Sequence, residues 1–289
     1  MAPLKFCANI SWLFTELPEF TQRMRAAARA GFRAVEAAWI YSADLKELKA
    51  VKDETGLEFA LINTPPGDLN AGDLGLGAVP GREQEFRQGL DLAVRFAKAL
   101  DCRRIHLMAG RVPAGADRSA VAMEMEDTFV QNLKHAAGVL SKEGILGLIE
   151  PINTRITDPR YFLDSPNQAA VILQRVSHPS IRMQMDIYHW QIMDGNLTQN
   201  IRKYLPMTAF PLSQVTSRSL KFLTAMSQTA TESSVSHTSL NCWRSWTIRI
   251  TSAANTNLRG PRKRVWTGSQ DTGTVTTEDQ FNSLNSSIF

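Results

Sequence analysis

Two carboxylates stand where an acid is expensive to place. Glu150 directly follows the apolar run "GILGLI", and Asp186 directly follows "IRMQM". A carboxylate at the end of a buried strand costs free energy unless it is paired or bound to a cation. Two of them at neighbouring strand ends make an oxygen-rich donor set, suited to Mg²⁺ or Mn²⁺ more than to Zn²⁺. Taken singly, either acid could instead cap the following helix or pair with an arginine. His189 lies three residues beyond Asp186, within reach of a ligand on such a cation. Spacing alone equally allows a histidine satisfied within the fold. His106, in "RIHLMAG", reads as a core histidine or a substrate contact. Asn9, Trp12, Glu36, Trp39 and Asn63 also interrupt apolar runs near their ends.

The elements that must position these residues alternate in type. Strands are expected at 5–10, 34–39, 58–62, 104–108, 145–149 and 181–185, as short apolar runs bounded by turn residues. Helices are expected at 19–31, 43–55, 84–100, 119–141, 166–176 and 195–204, with apolar residues three and four apart, as in Leu90, Val94 and Ala97. Six strand–helix units in order imply a parallel sheet. A (β/α)8 barrel is favoured over a doubly wound sheet, because "NISWLF" after the first strand offers no GxGxxG. In such a barrel the strand-end residues above share one face.

Length and composition agree with one such domain. The 289 residues are 43% apolar, enough for a single large core. The net charge of +4 arises wholly after residue 206, where 8 basic residues meet 4 acidic ones. Scattered arginines without an aromatic platform argue against a nucleic-acid partner. Cys7, Cys102 and Cys242 have no CxxC spacing and read as free thiols of a reducing compartment. No apolar run approaches eighteen residues, so no membrane partner is expected, and a cytoplasmic location is read, with a weak mitochondrial signal still compatible.

The motifs "LINTPPGD", "GLGAVPGR", "RIHLMAGR", "EPINTRITDP" and "QMDIYHWQIMDGNLT" are similar to those of the hydroxypyruvate isomerase family of xylose-isomerase-like barrels, through residues 1–206. The resemblance implies an enzyme that interconverts hydroxypyruvate and 2-hydroxy-3-oxopropanoate with a divalent cation, acting on a small keto acid, with a homo-oligomer left open. It makes Glu150 the acid/base carboxylate and a metal ligand, and Asp186 a second ligand. His189 and Arg155, with His106, become substrate contacts. Moving a carbonyl between adjacent carbons needs a proton taken from one and returned to the other, which carboxylates beside a cation can serve.

After Pro206 the chain changes character. Residues 207–289 hold 28 Ser and Thr in 83 positions and read as a disordered polar tail. The family's runs like HVQVAQVP and SCEY, which carry its last strand-end groups, are absent. Codons allowed for Val215 to Leu223, shifted by one frame, can spell the first run, and those for Ser252 to Thr256 the second. The tail is therefore expected to be an out-of-frame product that leaves the barrel two strands short, with its activity impaired.

Overall fold

The computed structural model describes residues 7–209. Six parallel strands run in sequence order: β1 (Cys7–Asn9), β2 (Ala34–Ala37), β3 (Glu58–Asn63), β4 (Arg104–His106), β5 (Leu146–Ile149) and β6 (Ile181–Met183). Between them lie α1 (Phe20–Arg29), α2 (Leu45–Thr55), α3 (Glu83–Ala99), α4 (Arg118–Lys142) and α5 (Pro166–Val176). After β6 come α6 (Ile187–Met193), α7 (Leu197–Tyr204) and a 3-10 turn, Leu205–Met207. The strand–helix alternation read from the sequence holds, with β2, β4, β5 and β6 shorter than their apolar runs and β3 one residue longer.

Local chemistry sets the helix ends. Asp44 caps α2 by accepting from the Lys46 and Glu47 amides, and Gly56 closes it in the left-handed region at φ 66°. Ser165 caps α5 through the Gln168 amide, with Pro166 at its first position. The face of α3 that carries Phe86, Leu90 and Val94 is buried against the sheet. Each such side chain contributes roughly 1.5–3 kcal/mol over an exposed one. Cys102 is buried and Cys7 exposed, both as free thiols, while Cys242 lies outside the described residues.

Side chains two apart on a strand share a face. Ala8, Val35, Ile105, Ile149 and Met183 are buried beneath the helices. The alternate positions, Asn9, Glu36, Leu61, His106, Leu148 and Gln184, lie on the other face. They are linked across the sheet by the pairings Asn9–Glu36, Glu36–Leu61 and His106–Leu148. In a flat sheet β2 and β6 would stand about 19 Å apart. Yet Asp186 helps push the Glu36 carboxyl above its usual range, so the two carboxylates lie within electrostatic reach of each other. The sheet therefore curls into a barrel wall around these residues.

Thr208 forms a parallel bridge with Met183, and the Ala209 amide donates to the Met183 carbonyl at 3.2 Å. The chain has thus begun to pair with β6 just past the compositional break. The rewritten tail expected from 207 onward otherwise lies outside the described residues, as do barrel closure and residues 5 and 6 of the first expected strand. No described helix is long and apolar enough to cross a membrane.

Candidate active site

Glu150 sits one residue beyond β5 and is 8% exposed. Pro151 follows it, and a residue before proline is held extended, so Glu150 continues the strand direction as pairing ends. Burial pushes its carboxyl well above the usual carboxylate range, reinforced by the charges of Asp186 and Glu36 and opposed by a hydrogen bond from Gln184. Glu36, on β2, is also pushed up, first by burial and then by Asp186, while its hydrogen bond from Asn9 Nδ2 at 2.9 Å opposes the shift. Three carboxylates thus face one space. Among the described residues, no Arg or Lys forms an ion pair with any of them.

Asp186 takes up the capping role that its sequence position allowed and turns its second oxygen toward His189. Its Oδ1 caps α6, accepting from the Tyr188 amide at 2.7 Å and the His189 amide at 3.3 Å. Its Oδ2 is turned toward His189 Nε2, 3.9 Å away. One ligand atom each from Glu150, Asp186 and His189 lies within 4.8 Å of the others. Hard carboxylate oxygens with no Arg or Lys partner among the described residues fit a divalent cation of the Mg²⁺ or Mn²⁺ class.

The two histidines differ. His106, on β4, is 2% exposed, and its Nδ1 lies 3.5 Å from Glu150 Oε2. Burial, with the nearby His189, drives its pKa down to about 3, so the contact is between a neutral ring and the carboxyl and is no ion pair. His189 is also pushed down by burial, against the pull of Asp186. Its Nδ1 accepts from Asn153 Nδ2 at 2.8 Å and faces the Asn153 backbone amide at 3.3 Å.

The structure brings Glu150, Asp186, His189 and His106 together. It places Arg155 elsewhere: that side chain is exposed, and its Nη1 donates to the Ile192 carbonyl at the far end of α6. Sequence reading missed α6 itself, although Asp186 as a cap followed by Ile187 and Trp190 at helical spacing was a usable signal. It also missed Gln184, whose place two residues before Asp186 puts it on the same strand face. Asn153 gave no signal, because its partner is 36 residues away.

A parallel strand–helix barrel wall with acids and a histidine at the carboxyl ends of its strands defines an α/β-barrel enzyme. Residues 24–226 match the xylose isomerase-like TIM barrel family, and the chain belongs to that family. It is 81% identical over 219 residues to a Danio rerio protein named "Putative hydroxypyruvate isomerase", covering 75% of this chain and 79% of the relative. It is 41% identical to "Hydroxypyruvate isomerase" of Escherichia coli (strain K12), covering 70% and 76%. Among solved structures, an "AP endonuclease, family 2" from Brucella melitensis superposes with a TM-score of 0.66 at 41% identity, covering 71% of this chain and 77% of that one.

Proposed function

We propose that this site is built for isomerising hydroxypyruvate to 2-hydroxy-3-oxopropanoate. The observation that carries the reading is the buried Glu150 carboxyl beside Asp186, with His189 on the adjoining helix and neither carboxylate in an ion pair with an Arg or Lys among the described residues. A bound Mg²⁺ or Mn²⁺, held by Glu150 and Asp186, would supply Lewis-acid polarisation of the carbonyl and its neighbouring hydroxyl.

The residues do the rest. Glu150, whose affinity for a proton is raised by burial, takes one from the hydroxymethyl carbon and returns it to the former carbonyl carbon. The hydroxyl proton passes between the two substrate oxygens, so atoms balance and no redox partner is needed. His189 presents Nε2 to a substrate oxygen, and His106 stays neutral behind Glu150. Arg155 would serve the substrate carboxylate only after leaving the Ile192 carbonyl.

We read residues 207–289 as a rewritten tail that deprives this polypeptide of the family's last strand-end groups and lowers its turnover. The test is cation-dependent isomerisation by this chain beside a version with the frame restored after Pro206. Activity in the restored protein alone supports both readings. Equal activity in both overturns the out-of-frame reading. Turnover of a four-carbon 2-oxo acid in place of hydroxypyruvate moves the assignment to a 2-oxo-tetronate isomerase, and binding without turnover in either protein moves it to a non-catalytic isoform.

A further inference from the structure

We propose that Asn153 is a positioning residue that fixes the proton of His189 on Nε2, making this ring a hydrogen-bond donor toward the site and keeping it out of the cation's ligand set. Asn153 is completely buried, so its amide must satisfy its partners internally. Its Oδ1 accepts from the backbone amides of Ile156 at 2.9 Å and Thr157 at 3.0 Å. Those two groups can only donate, which settles which end of the side chain is oxygen. The NH2 end is then fixed as well. It gives one hydrogen to Thr157 Oγ1 at 2.8 Å and the other to His189 Nδ1 at 2.8 Å.

The Asn153 backbone N–H, at 3.3 Å, points at the same ring nitrogen. Two donors converging on Nδ1 require a lone pair there, and a neutral imidazole then carries its hydrogen on Nε2. Flipping the amide would set the NH2 group against two backbone N–H donors, leaving buried polar groups unpaired. The turn at 153–157, which is closed by the Asp158 amide donating to the Asn153 carbonyl, thus reaches across to α6 and sets its chemistry.

A protonated Nε2 has no lone pair for a cation, although the ring lies within 4.8 Å of both carboxylates. It can donate to a substrate oxygen. The inference rests on the proposed isomerase reading for its purpose, but the proton's position can be read without substrate or cation. Failure of one is therefore distinguishable from failure of the other.

The experiment is a long-range ¹H–¹⁵N correlation spectrum of the ¹⁵N-labelled full chain, with His189 signals assigned by their loss in His189→Gln. The expected spectrum has a pyridine-type Nδ1 and a pyrrole-type Nε2. Asn153→Asp keeps the acceptor for Ile156 and Thr157 but loses the donor, and should move a proton onto Nδ1. Thr157→Val disturbs the same turn without touching that donor, and should leave the tautomer unchanged. A protonated Nδ1 in the wild type overturns the proposal, and so does an Asn153→Asp spectrum identical to wild type. Should Asn153→Asp fail to fold, the wild-type spectrum alone decides.

Discussion

Replacing Glu150 with Gln should make the cation-free protein more stable while abolishing its function. The two carboxylates Glu150 and Asp186 offer oxygens within 4.8 Å of each other. At an effective dielectric of about 20, unit charges at that separation repel by roughly 3 kcal/mol. The Asp186 side chain is 37% exposed, which screens the repulsion, and Glu150 can take up a proton to escape part of it. The net gain from the neutral amide is therefore about 1–3 kcal/mol. Its sign follows from linkage. Glu150 holds its proton more tightly folded than unfolded, so the folded protein loses stability as pH rises through the folded pKa. The Gln variant escapes that loss. Its advantage should be near zero at pH 4 and present at pH 8. Urea denaturation followed by circular dichroism, with and without Mn²⁺, measures this, and the cation should stabilise wild type more than the variant. An equal gain at both pH values, or equal Mn²⁺ stabilisation of both proteins, would refute the argument.

Other substitutions separate the roles of neighbouring groups. Asp186→Asn keeps a cap acceptor for the Tyr188 and His189 amides, so it should retain stability and lose cation binding. Asp186→Ala should cost about 1 kcal/mol more than Asp186→Asn in the same denaturation assay, because α6 also loses its cap. Gly75 has φ 103°, and a Cβ there would stand 2.5 Å from Met108 Cβ and 2.7 Å from its carbonyl oxygen. Gly75→Ala should therefore destabilise by about 2–4 kcal/mol, read as a lowered melting temperature. Asp158→Ala strips Arg111 Nε of its 2.7 Å carboxylate partner. The expected cost is about 2 kcal/mol, less than for a fully buried pair, since Arg111 keeps the Gly72 carbonyl and some water.

Much of the fold was legible because its signals are local. Strand and helix order follow from apolar spacing, and α5 begins and ends where Pro166 and Val176 predict. Glu150 and Asp186 were legible for the same reason: a charge abutting a buried run is conspicuous in one dimension. Strand ends were less so, since an apolar run outlasts the ladder it feeds. The run at 104–108 pairs only through His106, after which Met108 packs under the loop that carries Gly75.

The sequence by itself determined the alternation of elements, the family resemblance and the two acids, since each is written in contiguous residues. Tertiary structure alone decided what those acids meet. Curling of the sheet brings Glu36 from β2 toward Asp186 beyond β6, a neighbour that strand order places four strands away. It turns the Asp186 oxygen that does not cap α6 toward the site. It ties Arg155 to Ile192 and joins Asn153 to His189 across 36 residues. Hydrogen-bond direction depends on which atoms face each other in space, and spacing along the chain carries no trace of that.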